Sequence, residues 1–266
     1  MQEAPRSAAE APHARQGAQV NALDWLSASL CVSQIDVERE LDTIEPLAGS
    51  KLRLRSALDQ DTPCGFPAQT VTRWQTLEDL SIRFYEVEQS LECLANVPVY
   101  MRRFPYRSSG ISRSAYLQYH YENWLNETYI LETRFVRFAG HIKKAFARDP
   151  LAREVSLAAD AGTQIIKGGL AAAKEVRGEH VHETRTFDRD ILMLGTWERS
   201  KVRNPAFPYD VEKEFRRVRR AKAAELTELN ALIFETVLAA CGPLKDELVI
   251  ENERWPVFRT PASTPV

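Results

Sequence analysis

From Thr72 onward, apolar side chains recur at steps of three and four, the spacing that gathers them on one side of an α-helix. Leu77, Leu80, Phe84, Val87, Leu91, Leu94 and Val97 trace such a stripe, with Ile82 beside it. They predict a helix over 72–99, interrupted by Pro98, Pro105 and Ser108-Ser109-Gly110. A second helix starts near Ser112 or Ser114, either of which offers a hydroxyl as N-cap, and stops at Asp149-Pro150. A third covers Leu151 to about Val176, weakened by Gly162 and the pair Gly168-Gly169. Glu183 to about Lys201 is shorter and is closed by Asn204-Pro205 and Pro208. Asp210 is placed to cap a last long helix that reaches about Cys241, where Gly242-Pro243 reads as its end.

Outside this run the pattern weakens. Residues 1–19 are Ala-rich and polar with no hydrophobic period, and read as a disordered tail. A transit peptide is the sharper reading, and Glu3 and Glu10 oppose it. Leu23-Asp24-Trp25-Leu26 predicts the start of a short helix, Lys51 to Arg55 alternates as an edge strand does, and 61–67 is a turn or loop. The expected architecture is therefore all-α. An extension of mixed character covers 20–111, with its helix near 72–99. A four-helix bundle follows over 112–241, and 242–266 forms an irregular tail.

Composition narrows the function classes. The 266 residues carry 35 Lys and Arg against 37 Asp and Glu, so no global basic field advertises a nucleic acid, and any such partner needs a local patch. Cys31, Cys64, Cys93 and Cys241 form no Cys-x-x-Cys pair, which argues against a zinc ribbon or redox dithiol and fits reduced thiols in a cytoplasmic protein. No apolar run has the length of a membrane span, and the N-terminus lacks the apolar core of a signal peptide. Phosphate-cradling glycine loops and serine nucleophile motifs are absent, which excludes P-loop nucleotide hydrolysis.

The candidate chemistry sits in Lys174-Glu175-Val176-Arg177-Gly178-Glu179-His180-Val181-His182-Glu183. Arginine is always cationic and presents a planar fork that fits phosphate oxygens. Histidine titrates close to neutral pH and suits proton transfer. Taken on spacing alone, Arg177 is a cation satisfying the last carbonyls of a helix, and His180 and His182 are ordinary loop residues. The bundle context changes that balance. The segment resembles the Arg-x4-6-His signature of the HEPN superfamily, whose domains are helical bundles with this motif at or before the third helix. The helix Tyr116 to Leu131 also looks like the aromatic first helix of some HEPN proteins. Gly178 departs from the polar residue that many members place after the arginine.

The resemblance implies a metal-independent endoribonuclease. Arg177 and His182 would be catalytic, with no cofactor, and the active cleft would be shared by a homodimer. The alternative it implies is a catalytically inactive dimer serving as a binding or regulatory module, for example with an antitoxin-like protein partner. A helical scaffold without a nucleic-acid role is the third reading. His180 is a candidate phosphate contact, and with His182 it forms a His-x-His pair that no further ligand completes into a metal site. Tyr116, His120, Asn123 and Glu127 fall on one helical face, so His120 and Glu127 are candidate supports, with the wet face of an amphipathic helix as the plain alternative. The densest basic run, Lys213 to Lys222, puts Lys213, Arg216 and Arg220 on one face with Arg217 beside it, as a phosphate track would. Pairing with Glu212, Glu214 and Glu225 would instead leave a merely solvated face.

Overall fold

The computed structural model describes residues 21–44, 68–103, 110–173, 175, 188–251 and 256–261. The chain is an all-α helical bundle with one short antiparallel hairpin at its C-terminal end. Among the described residues the helices with defined bounds are α1 (Ala22–Ile44), α2 (Ala68–Arg102), α3 (Arg113–Ala145), α4 (Ala152–Gly169), α5 (Arg189–Arg203) and α6 (Val211–Leu248), and residues 171–173 and 175 are helical as well.

Helix α1 is much longer than the short helix expected to begin at Leu23-Asp24-Trp25-Leu26. Its buried stripe is Leu23, Leu26, Leu30, Ser33 and Val37, at steps of three and four, with Ser29 buried beside it. The two serines dilute the hydrophobic signal, but each is satisfied. Ser29 Oγ donates to Leu26 O at 3.0 Å, and Ser33 Oγ receives the Phe258 N–H at 2.8 Å. Asn21 caps the helix by accepting from Asp24 N at 3.0 Å. The proposed strand at Lys51 to Arg55 and the loop at 61–67 lie outside the described residues.

Helix α2 runs through Pro98 instead of stopping there. Proline at 98 has no N–H for the carbonyl of Leu94, four residues earlier. Asn230 of α6 fills the gap: its Nδ2 donates to Leu94 O at 2.7 Å, and its Oδ1 accepts from Trp124 Nε1 of α3 at 2.7 Å. One amide side chain thus closes three helices together and replaces the bond that the proline removes. The upstream helices are not an appendage. Helix α2 packs along α3 more extensively than any other pair in the described fold, with the Phe84 and Phe138 rings 5.1 Å apart, and α1 packs on α2 and α6.

Ser112 is the N-cap of α3, accepting from Ala115 N at 3.2 Å. Helix α4 runs to Gly169 with Leu170 as its C-cap, and helical backbone resumes at 171–173 and 175, so the stretch expected to reach about Val176 is broken at Leu170. Its glycines do more than weaken it. A Cβ on Gly162 would sit 2.5 Å from Ala240 O, and one on Gly169 would sit 2.3 Å from Thr236 Cγ2, so both let α4 lie directly on α6. Helix α5 starts at Arg189 rather than at Glu183, with Asp188 as its cap, because the Asp188 carboxylate accepts from Asp190 N and Ile191 N at 3.0 and 3.1 Å. Helix α6 is capped by Asp210, as expected, but continues past Gly242-Pro243 to Leu248. Leu244 and Leu248 are fully buried, so packing outweighs the local cost of the proline.

Beyond α6 the chain forms β1 (Val249–Glu251) and β2 (Pro256–Phe258) rather than an irregular strap, with Ile250 opposite Val257. Strand β2 lies on α1, where Phe258 is buried and Ser33 Oγ also donates to its carbonyl at 3.3 Å. No helix among the described residues is long and apolar enough to cross a membrane. Cys31 and Cys93 are exposed free thiols, and burial pushes the free Cys241 thiol up to about 12.

Candidate functional site

Arg177, His180 and His182 lie outside the described residues, as does Gly178. The structure fixes what stands next to them in the chain. Asp188, six residues after His182, sits where α3, α5 and α6 meet. One of its oxygens caps α5, and the other receives Lys222 Nζ at 2.6 Å. Lys222 Nζ also donates to Glu225 Oε2 at 2.5 Å. Burial pushes the Lys222 ammonium downward, yet the bonds from Asp188 and Glu225 outweigh it and the net shift is upward. Tyr121 of α3 stands close by, its phenol held above the usual range by burial and then by the Asp188 charge. This nearly buried lysine with two carboxylates is a junction the sequence reading missed. A helix start placed at Asp188 rather than Glu183 would have drawn attention to it.

His120 and Glu127 are not brought together. His120 lies among three tyrosines, with ring centroids at 4.5 Å (Tyr116), 5.3 Å (Tyr119) and 6.1 Å (Tyr100). Burial holds its imidazole below the usual range, opposite to the rise a bonded carboxylate would give. Glu127 instead faces Arg134, at 3.2 Å. Arg134 also donates to Ser90 Oγ at 2.6 Å and to Glu86 O at 3.2 Å, so the pair tethers α3 to α2. The stripe of Tyr116, His120, Asn123 and Glu127 is half-buried throughout.

The basic run on α6 divides in two. Arg216 pairs with Glu212 at 3.2 Å, and Arg217 pairs with Glu214 at 2.7 Å and Asp190 at 3.3 Å, which is the solvated-face arrangement. Lys213 is exposed in the first turn, near the capping carboxylate of Asp210, whose pKa is lowered chiefly by its bond from the Lys213 N–H. Arg220 is exposed and donates to Arg216 O at 3.1 Å. Arg219, one residue earlier, turns toward α2. Its guanidinium lies 5.2 Å from the Phe215 ring centroid and donates to Arg102 O at 3.4 Å.

A cleft between α3 and α5 is lined by Ser114, Gln118, Tyr119, Glu122, Leu192 and Arg199, with a water-accessible volume near 280 Å³. The α3 N-terminus beside it is already served by an anion of the protein itself. Glu198 accepts from Arg113 N, Ser114 N and Ser114 Oγ at 3.0, 3.1 and 2.6 Å. Among the described residues, no group of three or more His, Cys, Asp or Glu could hold a metal ion. No family model, curated protein or solved structure matches this chain.

Proposed function

We propose that the chain is a metal-independent endoribonuclease of HEPN type, working as a homodimer, with Arg177 and His182 as its reactive pair. The observation that supports this reading is topological. The Arg177–His182 segment connects α4 to α5, and the chain after it is anchored at Asp188 by Lys222 and by two backbone N–H groups. Asp188, where the chain re-enters the bundle six residues after His182, is held by an ion pair and a helix cap, an anchorage that suits the accurate placement proton transfer needs.

In this reaction the ribose 2′-hydroxyl attacks the adjacent phosphorus and the bond to the 5′-oxygen breaks. His182 takes the hydroxyl proton or supplies one to the leaving oxygen, and Arg177 holds the charge on the phosphorane. The products are a 2′,3′-cyclic phosphate and a 5′-hydroxyl, and DNA is inert because it lacks the nucleophile. A symmetric dimer doubles these groups across one cleft. Labelled RNA incubated with EDTA tests the reading. Cleavage survives chelation, falls by roughly 10²-fold or more in His182→Ala, and is not restored by Arg177→Lys, whose ammonium lacks the bidentate fork. Cleavage unchanged in His182→Ala, or abolished by the chelator, refutes it.

A second reading, a non-catalytic binding or regulatory module, is favoured by one observation. Arg216 and Arg217, two of the cations expected to track phosphates, are bonded to the protein's own carboxylates. A wild-type chain that dimerises and cuts no RNA supports this second reading.

A further inference from the structure

The His120 cluster and the arginines of α6 share one end of the bundle. The C-terminus of α2, the first turns of α3 and the first half of α6 converge there, through contacts that name each other. Tyr116 Oη of α3 donates to Tyr100 O of α2 at 2.6 Å. Arg219 of α6 donates to Arg102 O of α2 at 3.4 Å, and its charge also acts on the Tyr116 phenol. Arg102 Nη2 in turn donates to Thr227 Oγ1 of α6 at 3.4 Å. Arg113 and Arg219 both lie over the buried Phe215 ring, at 5.6 and 5.2 Å.

Two properties distinguish this end from the rest of the surface described above. The first is the nature of the arginine contacts. Arg216 and Arg217 are met by carboxylates, whereas the bonds of Arg102, Arg219 and Arg220 run to a threonine hydroxyl and to two backbone carbonyls. Guanidinium does not deprotonate in proteins, so this is a standing concentration of positive charge on a chain whose formal net charge is −2. Capping of the α2 C-terminus explains one arginine at Arg102 O. It does not explain Arg102 itself reaching α6 at the same junction, or Arg220, next to Arg219 in the chain, standing exposed.

The second property is the aromatic surface beside those cations. Tyr119 is 60% exposed and Tyr100 is 49% exposed, although each keeps one side against His120. Exposed rings fixed by neighbours are platforms for other planar groups, and they serve any base whose face is not already stacked in a duplex. Cations that follow a phosphate backbone, interleaved with such rings, are the combination that binds single strands.

We propose that this end of the bundle binds single-stranded RNA, with Tyr100 and Tyr119 taking base faces and Arg102, Arg219 and Arg220 taking phosphates. That the strand is RNA rather than DNA rests on the function proposed above for Arg177 and His182. The binding surface itself stands on different residues.

The test is fluorescence anisotropy of a labelled 12-nucleotide RNA of mixed sequence, titrated with the full chain across a range of salt. The protein carries His182→Ala, so the strand stays intact whether or not the wild type cleaves. The RNA binds, and binding weakens steeply with salt. Replacing both arginines, Arg102→Gln and Arg219→Gln, lowers affinity by at least tenfold and reduces the salt slope by about 1.4, at roughly 0.7 per phosphate contact on a single strand. Tyr119→Ala lowers affinity by roughly tenfold, within the range for losing one stacked base. Tyr85→Ala and Arg137→Gln, exposed positions far along α2 and α3, leave it unchanged.

Circular dichroism melts establish that each variant remains folded. A second arginine pair, Arg102→Lys and Arg219→Lys, keeps charge and retains most of the salt slope. The proposal is overturned if the RNA does not bind, or if the arginine and tyrosine variants bind as the parent does. It is equally overturned if duplex RNA or a DNA strand of the same sequence binds as tightly, or if the chain binds phosphatidylserine vesicles and ignores RNA. Failure of cleavage with binding intact counts against the proposed catalysis alone, and failure of these variants to respond counts against this surface alone.

Discussion

Replacing Asn230 with alanine should cost far more stability than a half-buried surface amide ordinarily would. Asn230 makes two short bonds in opposite senses, donating to Leu94 O and accepting from Trp124 Nε1, both at 2.7 Å. The residues left behind are deep in the core, with Trp124 at 4% and Leu94 at 1% exposure. Each lost bond is worth about 1 kcal/mol net, and each buried group left without a partner adds about 1–3 kcal/mol. Water can reach part of the vacated site, so the expected loss is about 2–4 kcal/mol, or a fall in Tm of roughly 5–12 °C. Asn230→Asp keeps the acceptor for Trp124 but turns an oxygen toward the Leu94 carbonyl, and should be at least as damaging.

The sharper test uses Pro98→Ala. In the parent that change places an N–H opposite a carbonyl already satisfied by Asn230. In Asn230→Ala it supplies the partner that carbonyl has lost. The two substitutions should therefore couple, with Pro98→Ala gaining about 1 kcal/mol more in the Asn230→Ala background. Urea denaturation of the four proteins, followed by ellipticity at the helix band, measures this directly. A loss below about 0.5 kcal/mol for Asn230→Ala, the scale of an ordinary surface change, or a coupling of zero, would refute the relay.

Two further outcomes follow from the same packing. Gly162→Ala should destabilise by about 1–3 kcal/mol, because its Cβ would meet the Ala240 carbonyl at 2.5 Å and backbone cannot swing aside. Gly140→Ala, with nothing within 4 Å of its Cβ, should stabilise by about 0.5–1 kcal/mol, and thermal melts that fail to separate the two would contradict the α4–α6 contact. His120 favours its neutral form in the fold, so its contribution is present above its ordinary value of 6.5 and is lost as pH falls through its lower folded value. His120→Phe should therefore lose less Tm than the parent between pH 7.5 and pH 5, and identical losses would remove His120 from the acid response.

Helix type and several starts were legible in the sequence because they depend on neighbouring residues. Ser112 and Asp210 cap helices with their own side chains, and the steps of three and four in α2 report the buried side directly. Pro98 and Pro243 misled because the local signal for a helix end is overruled by groups far away in the chain, Asn230 in one case and the burial of Leu244 and Leu248 in the other. Helix α1 was under-read because Ser29 and Ser33 occupy its buried side, satisfied by a carbonyl within the helix and by a strand 225 residues away. At the candidate site, one face of α3 was read as a single functional stripe. Arg134, Tyr100 and Tyr119, none of which that spacing argument considered, help decide where Glu127 and His120 point.

Helix α6 touches every other described helix, and the hairpin behind it closes onto α1. A ribosome releases this chain from the other end. While α1 to α5 emerge, the faces of α1, α2 and α4 that pack on α6 have nothing to cover them, and the α2–α3 pair is the largest unit that can form early. Completion then depends on contacts between the first and last described segments, which favours late, cooperative closure over piecewise folding. A nascent chain stalled before Val211 should therefore be protease-sensitive and a ready client for chaperones, and protection should appear abruptly once Phe258 has cleared the exit tunnel.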